Sequence, residues 1–108
     1  MKILMISVDD SLVRYVSSSI EYPISRAIDC VSAISLVGQT DFDVIFVDGA
    51  LPYVSTTTLI EKLYKVKSDL KIITLCTKYN TLTLPEDKNC DKLFKPVDKE
   101  LLVQMVAC

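Results

Sequence analysis

The chain has 108 residues, half of them hydrophobic and 24% charged, which fits one globular domain and excludes a disordered chain. Lys and Arg total 12 against 14 Asp and Glu, a formal net charge of −2 that argues against sequence-independent nucleic-acid binding, which needs a cationic face. Histidine is absent, which removes His-dependent catalytic triads, and Cys30, Cys76, Cys90 and Cys108 form no close pair of the kind zinc requires.

In chain order, Lys2 to Val8 is an almost continuous apolar run, as expected of a strand buried on both faces. Asp9 and Asp10 end it too early for the apolar core of a signal peptide, so a cytosolic chain with reduced thiols is expected. Leu12, Val16 and Ile20 then recur at helical spacing after Ser11, a candidate N-cap. Ser25 to Cys30 is a weaker strand candidate. Val31, Ile34 and Val37 predict a short second helix stopped by Gly38. Asp43 to Val47 is the next strong strand. Leu59, Ile60, Leu63 and Val66 follow as a helix after Thr56, Thr57 and Thr58. Lys71 to Cys76 is a further strand. The segment from Tyr79 to Asn89 carries β-branched Thr81 and Thr83 and a central Pro85, so it supports one helical turn at most. Lys92 to Lys95 is a last, weaker strand, and Leu101, Leu102, Met105 and Val106 mark a closing helix with Asp98 placed to cap it. Strands alternating with helices predict an α/β domain over residues 1–108 with a doubly wound parallel sheet.

Right-handed crossovers lay these strands parallel, so the residues leaving their carboxyl ends share one edge of the sheet, where such folds bind ligands. Those residues are Asp9 and Asp10, then Asp48, then Cys76 and Thr77, then Lys95 and Pro96. Taken singly, each acid reads as a helix cap or turn residue, and Asp10 with Ser11 as a capping signal. Taken together, three acids crowded on adjacent strands about 4.8 Å apart would raise one another's pKa and call for a cation. Oxygen-only ligands of this kind suit Mg²⁺ and phosphoryl chemistry.

At these residues the sequence resembles the receiver domain of two-component response regulators. The resemblance runs through the whole chain: a hydrophobic strand followed by Asp9-Asp10, the segment Phe42 to Asp48, Leu51-Pro52, Lys95-Pro96 and the helix start at Val97 to Leu102. It implies a five-stranded sheet in the order 2-1-3-4-5, in which the segment around Pro85 gives a shortened fourth helix as a departure from the pattern. It further implies a phosphoacceptor at Asp48, and Mg²⁺ held by Asp9, Asp10, Asp48 and the backbone carbonyl of Ala50. Lys95 would pair with a phosphoryl oxygen, aimed inward by a cis bond to Pro96. The implied partners are a sensor histidine kinase or phosphotransfer protein and a downstream protein, with no direct contact to nucleic acid or membrane. Such a domain is not an enzyme in its own right but takes part in its own phosphotransfer. Lys95-Pro96 leaves only one further helix, so output is expected through partner binding rather than an attached output domain.

Three positions depart from the receiver pattern. The hydroxyl that usually ends the fourth strand falls on Cys76, or on Thr77 after a one-residue shift. The switch aromatic three residues before the lysine is Lys92. Tyr53-Val54-Ser55 replaces the usual glycine-containing turn. These departures keep a second reading open, a degenerate receiver acting as a phosphorylation-independent interaction module. A haloacid-dehalogenase-type reading of Asp48 to Leu51 fails because the nucleophile position would be Phe46.

Overall fold

The computed structural model describes residues 1–77, 84–85 and 87–107. Five strands, β1 (Ile3–Ile6), β2 (Ile24–Ala27), β3 (Val44–Asp48), β4 (Ile72–Cys76) and β5 (Cys90–Phe94), form one sheet in the order β2-β1-β3-β4-β5, and every pairing is parallel. Four helices are interspersed: α1 (Asp10–Ser19), α2 (Cys30–Gln39), α3 (Thr56–Val66) and α4 (Lys99–Ala107). This is the expected doubly wound α/β architecture. The expected shortened helix falls between β4 and β5 on a segment whose residues 79–83 and 86 lie outside the described residues.

The near-continuous apolar character of β1, β3 and β4 reflects burial on both faces: every residue of these three strands is buried. Leu4, Ile6, Ile45, Val47 and Ile72 meet Ala33 and Val37 of α2 and Leu59, Ile60 and Leu63 of α3 on one face. Ile3, Met5, Val44, Phe46, Ile73 and Leu75 meet Val16 of α1, Ile20 at its end, and Leu102 and Val106 of α4 on the other. Each large side chain fully buried this way contributes about 1.5–3 kcal/mol relative to exposure.

Capping decides where the elements start, and it moves three sequence expectations. The side chain of Asp9, not Ser11, caps α1, accepting the N–H groups of Ser11 and Leu12 at 3.0 and 3.2 Å. Asp29 caps α2 through the N–H and hydroxyl of Ser32, at 2.7 and 2.6 Å, so β2 ends at Ala27 and Cys30 is already helical. Gly38 lies inside α2 rather than beyond it, and Val31 is 79% exposed while Ala33 and Val37 face the core. Asp98 caps α4 as expected, accepting the N–H of Glu100 at 2.8 Å.

Among the described residues, no helix is long and apolar enough to cross a membrane.

Candidate functional site

The register sets the geometry of the sheet's carboxyl edge. Ile6 of β1 is level with Val47 of β3, so the next residues, Ser7 and Asp48, stand side by side. Asp48 of β3 is level with Leu75 of β4, and Cys76 with Phe94 of β5, which puts Lys95 immediately beyond the sheet. The N–H of Lys95 donates to the Cys76 carbonyl at 2.7 Å, and the Lys95-Pro96 bond is cis.

The ammonium group of Lys95 donates to Asp48 Oδ1 at 2.8 Å. The backbone N–H of Ala50 reaches the same oxygen at 3.0 Å. The other oxygen, Oδ2, accepts the hydroxyl of Ser7 at 2.7 Å. Ser7 is itself oriented by the Asp9 N–H, which donates to its Oγ at 3.0 Å. Thr56, at the start of α3, donates its hydroxyl to the Asp48 carbonyl at 3.2 Å and ties the helix to the strand end.

Asp48 is only 2% exposed. Burial by itself pushes its carboxyl up, but the hydrogen bonds from Lys95, Ala50 and Ser7, together with the Lys95 charge, outweigh burial and hold it below the ordinary carboxylate value. This reverses the sequence expectation of a pKa raised by crowded acids. The reason is positional: the group beside Asp48 is a serine hydroxyl, and the nearest charge bonded to it is a cation.

Both neighbouring acids are engaged elsewhere. Asp9 Oδ1 caps the N-terminus of α1. Asp10 is 74% exposed in its side chain and pairs with Arg26 Nη1 at 2.6 Å. The same guanidinium holds the loop by donating to the Ser7 carbonyl from Nε and Nη2, at 3.3 and 3.2 Å. The apolar run of the sequence therefore ends structurally at Ser7, and the acids come two and three residues beyond the strand-end position that faces Asp48.

These residues do not fit a divalent cation. A hard ion such as Mg²⁺ wants several anionic or carbonyl oxygens free to converge on it. Here each oxygen of Asp48 already accepts a protein donor, Asp9 and Asp10 each commit Oδ1 to a helix end and to an arginine, and the residue level with Asp48 on β1 is a serine rather than an acid. Among the described residues, no group of three or more His, Cys, Asp or Glu side chains is placed to hold a metal ion.

Cys76 closes β4 and is buried, with its thiol donating to Thr74 Oγ1 at 3.5 Å. Thr77 lies one residue beyond the strand and is half-buried. Ser7 and Arg26 are the two site residues that sequence reasoning missed. The available signal for Ser7 was a lone small polar residue inside the run Lys2 to Val8; Arg26 carried none, since an arginine on an edge strand is ordinary.

No family model and no curated protein matches the sequence. Solved structures do match in shape. A CheY-like response regulator receiver domain protein from Methanospirillum hungatei superposes with a TM-score of 0.81 at 19% identity, over 98% of this chain and 90% of that one. The chemotaxis protein CheY4 of Vibrio cholerae gives 0.80 at 22% identity, over 98% and 95%. The receiver domain of the hybrid histidine kinase CckA gives 0.79 at 19% identity, over 99% and 96%. With its strand order, its parallel sheet and its cis Lys95-Pro96 bond at the carboxyl edge, this chain has the fold of a response-regulator receiver domain.

Proposed function

We propose that this protein is a receiver-fold signalling module that works by binding a protein partner, without a Mg²⁺-dependent phosphorylation cycle and without enzymatic turnover of its own. The observation that carries this reading is the hydrogen bond from Ser7 Oγ to Asp48 Oδ2 at 2.7 Å, in the place where a cation-binding acid would be needed. Phosphoryl transfer to a carboxylate needs cations on the equatorial oxygens of the moving group. One lysine remains for that task, and it already neutralises the acceptor itself.

A second reading, a phosphoacceptor at Asp48 served by a histidine kinase or phosphotransfer protein, is favoured by the Lys95–Asp48 pair and by the ionised state that pair supports. An ionised carboxylate is a competent nucleophile for an acyl phosphate. In that case Cys76 or Thr77 would supply the hydroxyl-type switch, and the acids of the β1–α1 loop would have to leave the helix cap and Arg26 to reach a metal.

Intact mass after incubation with acetyl phosphate, with and without Mg²⁺, separates the two. An unchanged mass in both is expected. A single phosphoryl adduct that is lost in Asp48→Asn establishes the second reading instead.

A further inference from the structure

Ser7 is wholly buried and its hydroxyl has one proton to give. The Asp9 N–H occupies a lone pair of that oxygen, so the proton is directed at Asp48 Oδ2. Together with Lys95 and Ala50 on Oδ1, this gives the buried carboxylate three donors and one compensating charge. Among the described residues, no buried side-chain nitrogen or oxygen is left without a hydrogen-bond partner.

We infer that Ser7 and Lys95 jointly stand in for a divalent cation at Asp48, and that Ser7 is the residue that makes this edge of the sheet cation-independent. A hydroxyl completes the shell of Asp48 because it is a neutral donor. A carboxylate at position 7 would have no proton to donate at neutral pH. It would set a second negative charge at hydrogen-bond distance from Oδ2, with Lys95 already bonded to Oδ1 and Arg26 already engaged by the Ser7 carbonyl and Asp10. Two adjacent carboxylates and nearby backbone carbonyls are the donors a hard dication selects. The inference deepens the proposed reading and rests on it.

The test compares thermal melts of the wild type and Ser7→Asp in EDTA and in millimolar Mg²⁺, with Mn²⁺ titration followed by electron paramagnetic resonance. The wild-type midpoint should be the same in both buffers, and no stoichiometric Mn²⁺ site should appear. Ser7→Asp should melt lower than the wild type in EDTA and recover by at least about 5 °C in Mg²⁺. That recovery should vanish in Ser7→Asp/Asp48→Asn. Ser7→Asn, which keeps a neutral donor, should stay indifferent to Mg²⁺.

A Mg²⁺ shift in the wild type that depends on Asp48 overturns the inference. So does a folded Ser7→Asp protein that gains nothing from Mg²⁺, or a Ser7→Asn protein that gains as much. Should Ser7→Asp fold in neither buffer, the wild-type Mn²⁺ titration decides: one site lost in Asp48→Asn refutes the inference, and no site upholds it. Labelling of the wild type by acetyl phosphate without any cation response would refute the proposed function while leaving this inference standing.

Discussion

The floor of the carboxyl edge and the β1–α1 loop are built from the same residue types and do opposite things. On the floor, Asp48 is buried beside Lys95 and Ser7, and its charge is held by directed donors. At the loop and the start of α1, Asp9 and Asp10 are exposed to water, one capping the helix and the other paired with Arg26. A charge-assisted pair with one partner buried is strongly coupled, because removing a member strands the other in a poorly solvating environment. An exposed pair is weak, because water and salt already screen it. What separates the regions is the two and three residues by which Asp9 and Asp10 overshoot Ser7, the position level with Asp48.

That contrast is broken most severely at Lys95. Lys95→Met should cost about 3 kcal/mol at pH 7, by denaturant melts, since ionised Asp48 keeps only its neutral donors. Lys95→Met/Asp48→Asn should recover a large part of that loss. Additive losses in the double variant would show that the pair is not coupled.

Asp48→Asn alone comes next, at about 2 kcal/mol at neutral pH, the scale of charge-assisted hydrogen bonds lost. Its pH dependence sharpens the comparison. Because the folded carboxyl lies below its unfolded value, ionised Asp48 contributes stability above the unfolded pKa, and that contribution is lost as pH falls through the folded pKa. The wild type and Asp48→Asn should therefore converge in stability on acidification. A variant more stable than the wild type near neutrality would restore the picture of mutually repelling acids.

In the loop the effects shrink. Asp9→Ala should cost about 1 kcal/mol, the usual value of an N-cap, with no dependence on Mg²⁺. Asp10→Asn should cost under about 0.5 kcal/mol, and less still at high salt, because its partnership with Arg26 lies at the surface. An Asp10→Asn loss comparable to that of Lys95→Met would put the acid inside the site rather than beside it.

The parallel, doubly wound sheet was legible because it rests on repeated signals: apolar runs such as Asp43 to Val47 buried on both faces, helices of regular spacing between them, and the handedness of parallel crossovers, while its strand order came from the resemblance to receiver domains. Asp48 and Lys95 were legible as convergent for the same reason, since each lies at the end of such a run. The amino-acid sequence by itself thus determined which edge carries the polar groups, with Asp48 and Lys95 among them. It could not determine where β1 stops. Ser7 and Val8 continue the apolar run in one dimension, and only pairing with β3 shows that Ser7 is the residue level with Asp48. Nor could it tell a carboxylate that caps a helix from one that faces a ligand, because both follow a strand and precede a helix. Tertiary structure decided that, through the N–H groups at the start of α1 and an arginine from β2, and it thereby turned an expected cluster of three acids into one acid held by a hydroxyl and an amine.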